Sequence, residues 1–97
     1  MIAIARDRAA VLQAYPGRPD SLLAVNADVA EPEQLTAAVQ AGLAEFGRID
    51  VVVSNAGYGL VGAIEETSDK AARALFDVNM FGVLNTLRAT LPTLRAQ

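Results

Sequence analysis

Asp50-Val51-Val52-Val53-Ser54-Asn55-Ala56-Gly57-Tyr58-Gly59 is the stretch on which the fold turns. Arg48-Ile49-Asp50 leads into three consecutive valines. A β-branched run of this kind predicts a strand buried on both faces, as in a parallel α/β sheet. The run stops abruptly in small and amide residues. Asn55 can hydrogen-bond backbone on either side of a turn, and Ala56 and Gly57 let another backbone or a flat ligand come close. A turn of this sort at the carboxyl end of a parallel strand is where open α/β sheets bind their ligands.

Working outward, the pattern alternates β-α-β-α-β-α. Met1–Ala5 is a short apolar run that predicts a strand. Asp7–Ala14 predicts a short helix with Val11-Leu12 inward. Tyr15-Pro16-Gly17-Arg18-Pro19-Asp20 is turn chemistry. Ser21–Val25 predicts a second strand, closed by Asn26-Ala27-Asp28-Val29. Pro32 suits the first turn of the next helix, where its missing N–H costs nothing. Leu35, Val39, Leu43 and Phe46 form one amphipathic stripe, and Gly47 stops the helix. Ala30 stands where a Ser or Thr cap would help, so this helix start is weak. After strand Asp50–Ser54 and the loop Asn55–Thr67, Ser68 opens a long helix through about Arg95. Leu84, Leu87, Leu91 and Leu94 form a stripe in it, and Pro92 should kink or end it.

Composition narrows the function classes. The chain has 97 residues, enough for one small domain, and at 53% hydrophobic it is built to bury a core. A net charge of -3 argues against nucleic acid or an anionic membrane as partner. No apolar run approaches the roughly 18 residues needed to span a bilayer. Met1-Ile2-Ala3-Ile4 is followed at once by Arg6-Asp7-Arg8, which is unlike a signal peptide. With no cysteine and no histidine, thiolate chemistry, His-based triads and most zinc sites are excluded. A cytoplasmic protein without a metal is the expectation.

Asn55-Ala56-Gly57 after a Val-rich strand resembles the signature of the short-chain dehydrogenase/reductase family. The resemblance runs from Ile2-Ala3-Ile4-Ala5-Arg6-Asp7 to Leu91-Pro92. It implies an α/β fold over residues 1–97: a partial NAD(P)-binding Rossmann domain of three strands and three helices. The family's strand order is 3-2-1-4-5-6. The three strands here would be its second, third and fourth, with the first strand and the C-terminal half missing. Strand Asp50–Ser54 would then lack the neighbour that pairs with it. Unpaired buried backbone groups cost about 1–3 kcal/mol each. Several of them would exhaust a small domain's stability of about 5–15 kcal/mol. The chain is therefore expected to be a fragment of a larger domain, unless its strands pair in a rearranged order.

The resemblance also assigns roles. Arg6, just past the first strand, would pair with the 2′-phosphate of NADP; a solvated arginine at a strand end is the alternative, and Asp7 could still serve NAD. Asp28 and Val29 would contact the adenine, though an Asp leading into a helix turn explains Asp28 too. Asn55, Ala56 and Gly57 would line the nicotinamide-ribose side of the cleft. Asn79 would distort its helix and, through its backbone, hold a water in the proton relay to the catalytic lysine. Asn79 is independently notable: it is a poor helix former flanked by Val78, Met80 and Phe81, with Gly82 three positions on.

Gly57-Tyr58-Gly59-Leu60-Val61-Gly62 satisfies G-x-G-x-x-G but lacks an acid at the end of a second strand. It reads instead as lining of the substrate cleft, with Tyr58 and Leu60 as contacts. The family's catalytic Tyr and Lys, four residues apart, and the Ser upstream have no match. Tyr15 is followed at that spacing by Pro19 and Tyr58 by Gly62. Lys70, four after Glu66, reads as a surface ion pair.

The resulting expectation is a piece of an oxidoreductase passing hydride between NADP(H), or alternatively NAD(H), and a small alcohol or ketone, inactive alone. A non-catalytic nucleotide-binding or scaffolding relative is the alternative. A third reading is an unrelated α/β interaction domain whose strands pair 3-2-4. A homo-oligomer could form through helix 68–95, although a monomer core explains its hydrophobic residues equally well.

Overall fold

The computed structural model describes residues 1–17 and 19–97; Arg18, within the expected turn, lies outside the described residues. Strand β1 (Ile2–Ala5) and strand β2 (Leu23–Asn26) pair in parallel, with Ile2 opposite Leu23 and Ala5 opposite Asn26. A parallel pair needs a crossover. Helix α1 (Arg8–Ala14) supplies it, capped by Asp7, whose carboxylate accepts from the Ala10 N–H at 3.3 Å. Leu12 does not turn fully inward as expected: it is somewhat under half exposed, and α1 buries no residue.

Helix α2 (Pro32–Phe46) starts on Pro32 and ends at Gly47, whose φ of 80° only glycine adopts easily. The cap is Glu31 rather than the expected Ala30, and it too makes no side-chain hydrogen bond, so the start is weak. The preceding turn compensates. Asp28 Oδ1 accepts from the Ala30 N–H (2.9 Å), and Gln34 Oε1 accepts from the Asp28 N–H (2.8 Å). The buried stripe of α2 is Leu35, Ala38, Val39 and Gly42, shifted from the expected Leu35-Val39-Leu43-Phe46 line. Small residues decide that shift. Gly42 faces Ile2 so closely that a Cβ there would fall 2.0 Å from Ile2 Cδ1.

The long helix is continuous but not uniform. Helix α3 (Asp69–Phe76) is capped by Ser68, which accepts from the Ala71 N–H at 3.1 Å. A π-helical segment, Asp77–Phe81, joins it to helix α4 (Gly82–Ala96). Pro92 lies inside α4 and does not end it. Its missing N–H removes one hydrogen bond, to the Arg88 carbonyl, and the helix continues to Ala96. The leucine stripe packs only in part, with Leu91 and Leu94 half-buried. Gly82 and Thr90 are the buried residues, while Leu84 and Leu87 stand exposed with Phe76, Met80 and Phe81. Lys70 and Glu66 form no ion pair among the described residues, because Glu66 belongs to a separate turn, Ile64–Glu66. The pair on this helix is Asp69–Arg73.

The valine run joins no ladder among the described residues. Among the described residues β1 and β2 are the only laddered strands, so no rearranged 3-2-4 sheet forms. Val51 and Val53 are 77% and 80% exposed, where the sequence predicts burial on both faces. An open groove of about 720 Å³ lies between this run and β1, walled by Ile2, Ile4, Val51, Val52, Val53 and the α2 residues beneath. It lies where the resemblance expects the family's first strand.

Candidate functional site

The loop after the valine run is held from the long helix. Asn79 Nδ2 donates to the Tyr58 carbonyl (2.7 Å), and Asn79 Oδ1 accepts from the Tyr58 N–H (3.0 Å). One amide side chain thus supplies both bonds that a strand neighbour would make. Gly57 permits the approach, since a Cβ there would sit 3.1 Å from Asn79 Oδ1. Asn79 lies in the middle of the π segment, so the helix break suggested by Asn79 and Gly82 is present. Such segments occur often at functional sites, because the extra residue re-aims the side chains around it.

Val29 is fixed further along the same helix. Asn85 Nδ2 donates to the Val29 carbonyl at 3.0 Å. Gly82 lies against the Val29 side chain, and a Cβ there would come to 2.6 Å of Cγ2. Val29, Ser54, Asn55 and Ala56 share the walls of the groove with Thr86 and Thr90. Three of the expected cofactor contacts, Val29, Asn55 and Ala56, are therefore brought together, with Gly57 next in chain.

Arg6 lies elsewhere. With Asp7, Arg8, Ala9, Leu12 and Asn26 it surrounds an open concavity of about 510 Å³ past the carboxyl ends of β1 and β2. Asn26 Oδ1 accepts from the Arg8 N–H (2.7 Å), tying the end of β2 to the start of α1. Among the described residues neither Arg6 nor Arg8 is in an ion pair. Asp28 lines neither space; its carboxylate caps the turn at Ala30, the role a helix-leading Asp was also expected to have.

Sequence reasoning passed over Asn26, Asn85 and Gln97. Gln97 makes a second two-bond bridge: Ile49 N–H donates to Oε1 (3.0 Å) and Nε2 donates to the Ile49 carbonyl (2.6 Å). The one available signal was an amide residue on a largely apolar helix. At the entry to the valine run Arg48 pairs with Asp50, and that hydrogen bond and charge raise the Arg48 pKa. Tyr58 and Leu60 are each somewhat under half exposed, and Val61 and Ile64 almost fully, so this loop offers an apolar surface.

Known proteins fit this arrangement. The family model for short chain dehydrogenases matches residues 1–97. An uncharacterized oxidoreductase of Mycobacterium tuberculosis is 38% identical over 99% of this chain and 34% of its own length. A short-chain dehydrogenase from Streptomyces avermitilis is 38% identical, with a TM-score of 0.79 over 98% of this chain and 35% of that one. A 3-ketoacyl-(acyl-carrier-protein) reductase from Brucella melitensis, solved with NADH, is 30% identical, with a TM-score of 0.90 over 98% of this chain and 40% of that one. The chain thus spans about a third of the length of the curated relatives it matches. With its whole length matched, the chain belongs to the short-chain dehydrogenase/reductase family.

Proposed function

We propose that residues 1–97 form the adenosine-side wall and part of the nicotinamide wall of an NADP(H)-dependent oxidoreductase acting on a small alcohol or ketone. The observation that carries the cofactor choice is the arginine pair at the end of β1. Arg6 and Arg8 flank one concavity, and neither has a carboxylate partner among the described residues. Asp7, the residue that could select NAD through the ribose hydroxyls, is already engaged as the cap of α1. Guanidinium groups recognise phosphate through charge-assisted, two-pronged hydrogen bonds. Val29 and Ala56 offer apolar wall in the neighbouring groove, and Asn55 a polar edge.

The residues present suit the adenosine and nicotinamide-ribose ends of such a cofactor. The Gly-rich phosphate loop and the catalytic Ser, Tyr and Lys would come from the remainder of the domain. When bound, the cofactor supplies the hydride; this chain's part is to bind and orient. The apolar loop Tyr58–Ile64 supports a lipophilic carbonyl or alcohol as substrate. Asn79 is proposed to keep the relay role that the family resemblance implies, its π segment setting the local backbone. A cytoplasmic location and self-association through helix 68–95 belong to the same reading, the latter supported by exposed Phe76, Met80, Phe81, Leu84 and Leu87.

Titration of the whole domain, residues 1–97 together with the phosphate loop and the remaining strands, with NADP and with NAD tests the proposal. NADP should bind more tightly, and Arg6→Ala should weaken it by about 10–100-fold, the value of one charged hydrogen-bonding contact, while NAD affinity stays unchanged. Equal affinities, or an Arg6→Ala effect of the same size on both cofactors, would overturn the choice of NADP.

A further inference from the structure

We infer that Asn85 is a positioning residue for the adenine ring of the cofactor, acting through the Val29–Ala30 peptide. The inference rests on the reading of Val29 as part of the adenine wall. A peptide unit is planar, so its carbonyl and its N–H turn together. Here side chains hold both. Asp28 Oδ1 accepts from the Ala30 N–H at 2.9 Å, and Asn85 Nδ2 donates to the Val29 carbonyl at 3.0 Å. The first grip is local. The second comes from 56 residues away and ties the turn to α4. The Val29 side chain is gripped separately. Gly82, buried at the start of α4, makes room for it: a Cβ there would come within 2.6 Å of Val29 Cγ2 and 3.1 Å of Val29 Cβ. Gly82 and Asn85 are three apart, so both grips lie on one face of the helix.

The backbone on either side of this peptide is set by its own bonds. Before it, the Ala27 N–H donates to the Ala5 carbonyl at 3.0 Å, at the end of the β1–β2 ladder. After it, the Glu31 N–H closes the turn onto the Asp28 carbonyl at 2.9 Å. Those bonds hold the turn to the sheet, and the Asn85 amide orients it against the long helix. Without that donor the part-buried Val29 carbonyl would lose its partner and turn toward water, and the Val29 side chain would shift in the groove it lines. Three residues before Gly82, Asn79 holds the Tyr58 backbone at the other end of the cleft. One helix thus carries a grip on each wall, and Asn85 serves only the adenine end.

Competition binding to the whole domain, residues 1–97 together with the phosphate loop and the remaining strands, tests the inference. The probes are adenosine 5′-monophosphate, adenosine 2′,5′-bisphosphate and nicotinamide mononucleotide. Asn85→Leu keeps the bulk and removes the donor. It should weaken both adenosine probes by the same factor, about three- to tenfold, as for one neutral hydrogen bond, while nicotinamide mononucleotide keeps its affinity. Arg6→Ala should instead act only on the probe with a 2′-phosphate, so the two readings fail separately. If Asn85→Leu does not fold, Gly82→Ala, whose added methyl displaces the Val29 side chain, is read in the same way. Equal loss of all three affinities would mark a merely structural asparagine and overturn the inference. So would adenosine affinities that stay unchanged, or a loss confined to the bisphosphate. A wild-type domain that takes neither adenosine probe would overturn the inference together with the function it rests on.

Discussion

Asn79 sits inside a helical run, where asparagine is a poor helix former, and its amide meets both backbone groups of Tyr58. Aspartate at this position would keep the acceptor for the Tyr58 N–H and lose the donor to the Tyr58 carbonyl. Asn79→Asp should therefore lower stability by about 1 kcal/mol, seen as a lower urea midpoint with an unchanged slope. This residue was legible: a polar amide among Val78, Met80 and Phe81, three positions before Gly82, marks a place where a helix gives way. Asn85 and Gln97 were not, since their partners Val29 and Ile49 lie 56 and 48 residues away, and no local pattern announces them. Asp28 shows a different limit. A helix-leading turn and an adenine contact call for the same residue, and only the bond to Ala30 separates them.

Periodicity located each helix, but not the face each one uses. On α2 the buried line includes Ala38 and Gly42, and on α4 it includes Gly82 and Thr90, because small residues let neighbouring elements approach closely. The leucines of α4 follow the same helical period and fall on a different side. The valine run shows the opposite effect. Its composition predicts burial on both faces, yet Val51 and Val53 are mostly exposed, and among the described residues no strand ladders with the run. Pro92 was expected to disturb α4, and the helix passes through it. An interior proline costs up to about 3 kcal/mol relative to alanine, less near a helix end. Pro92→Ala should restore the N–H that the Arg88 carbonyl lacks and raise the urea midpoint.

The molecule as a whole is open. Its accessible surface is 6918 Å². A compact monomer of 10.2 kDa would expose about 5,300 Å². Its radius of gyration is 15.2 Å, against about 12.5 Å for a compact chain of this length. The excess area, about 1,600 Å², is the size of a standard protein interface. The groove beside Val51–Val53 contributes part of it, and the resemblance expects a strand there. The 97-residue chain should accordingly unfold over a shallow urea transition with a low midpoint that NADP does not move. A steep transition shifted by NADP would mark a domain able to bind nucleotide unaided.

The unpaired edge of β1 and the unladdered valine run face each other across that groove, and both are also templates for strands from other molecules. At neutral pH the net charge of -3 sets copies apart. Near pH 4.7, the sequence isoelectric point, that repulsion vanishes while the edges stay open. Solutions of the chain should therefore turn cloudy as acid is added, with the haze growing by strand addition rather than by random clumping. Infrared absorption of intermolecular β-structure, rising together with light scattering, is the signature to look for.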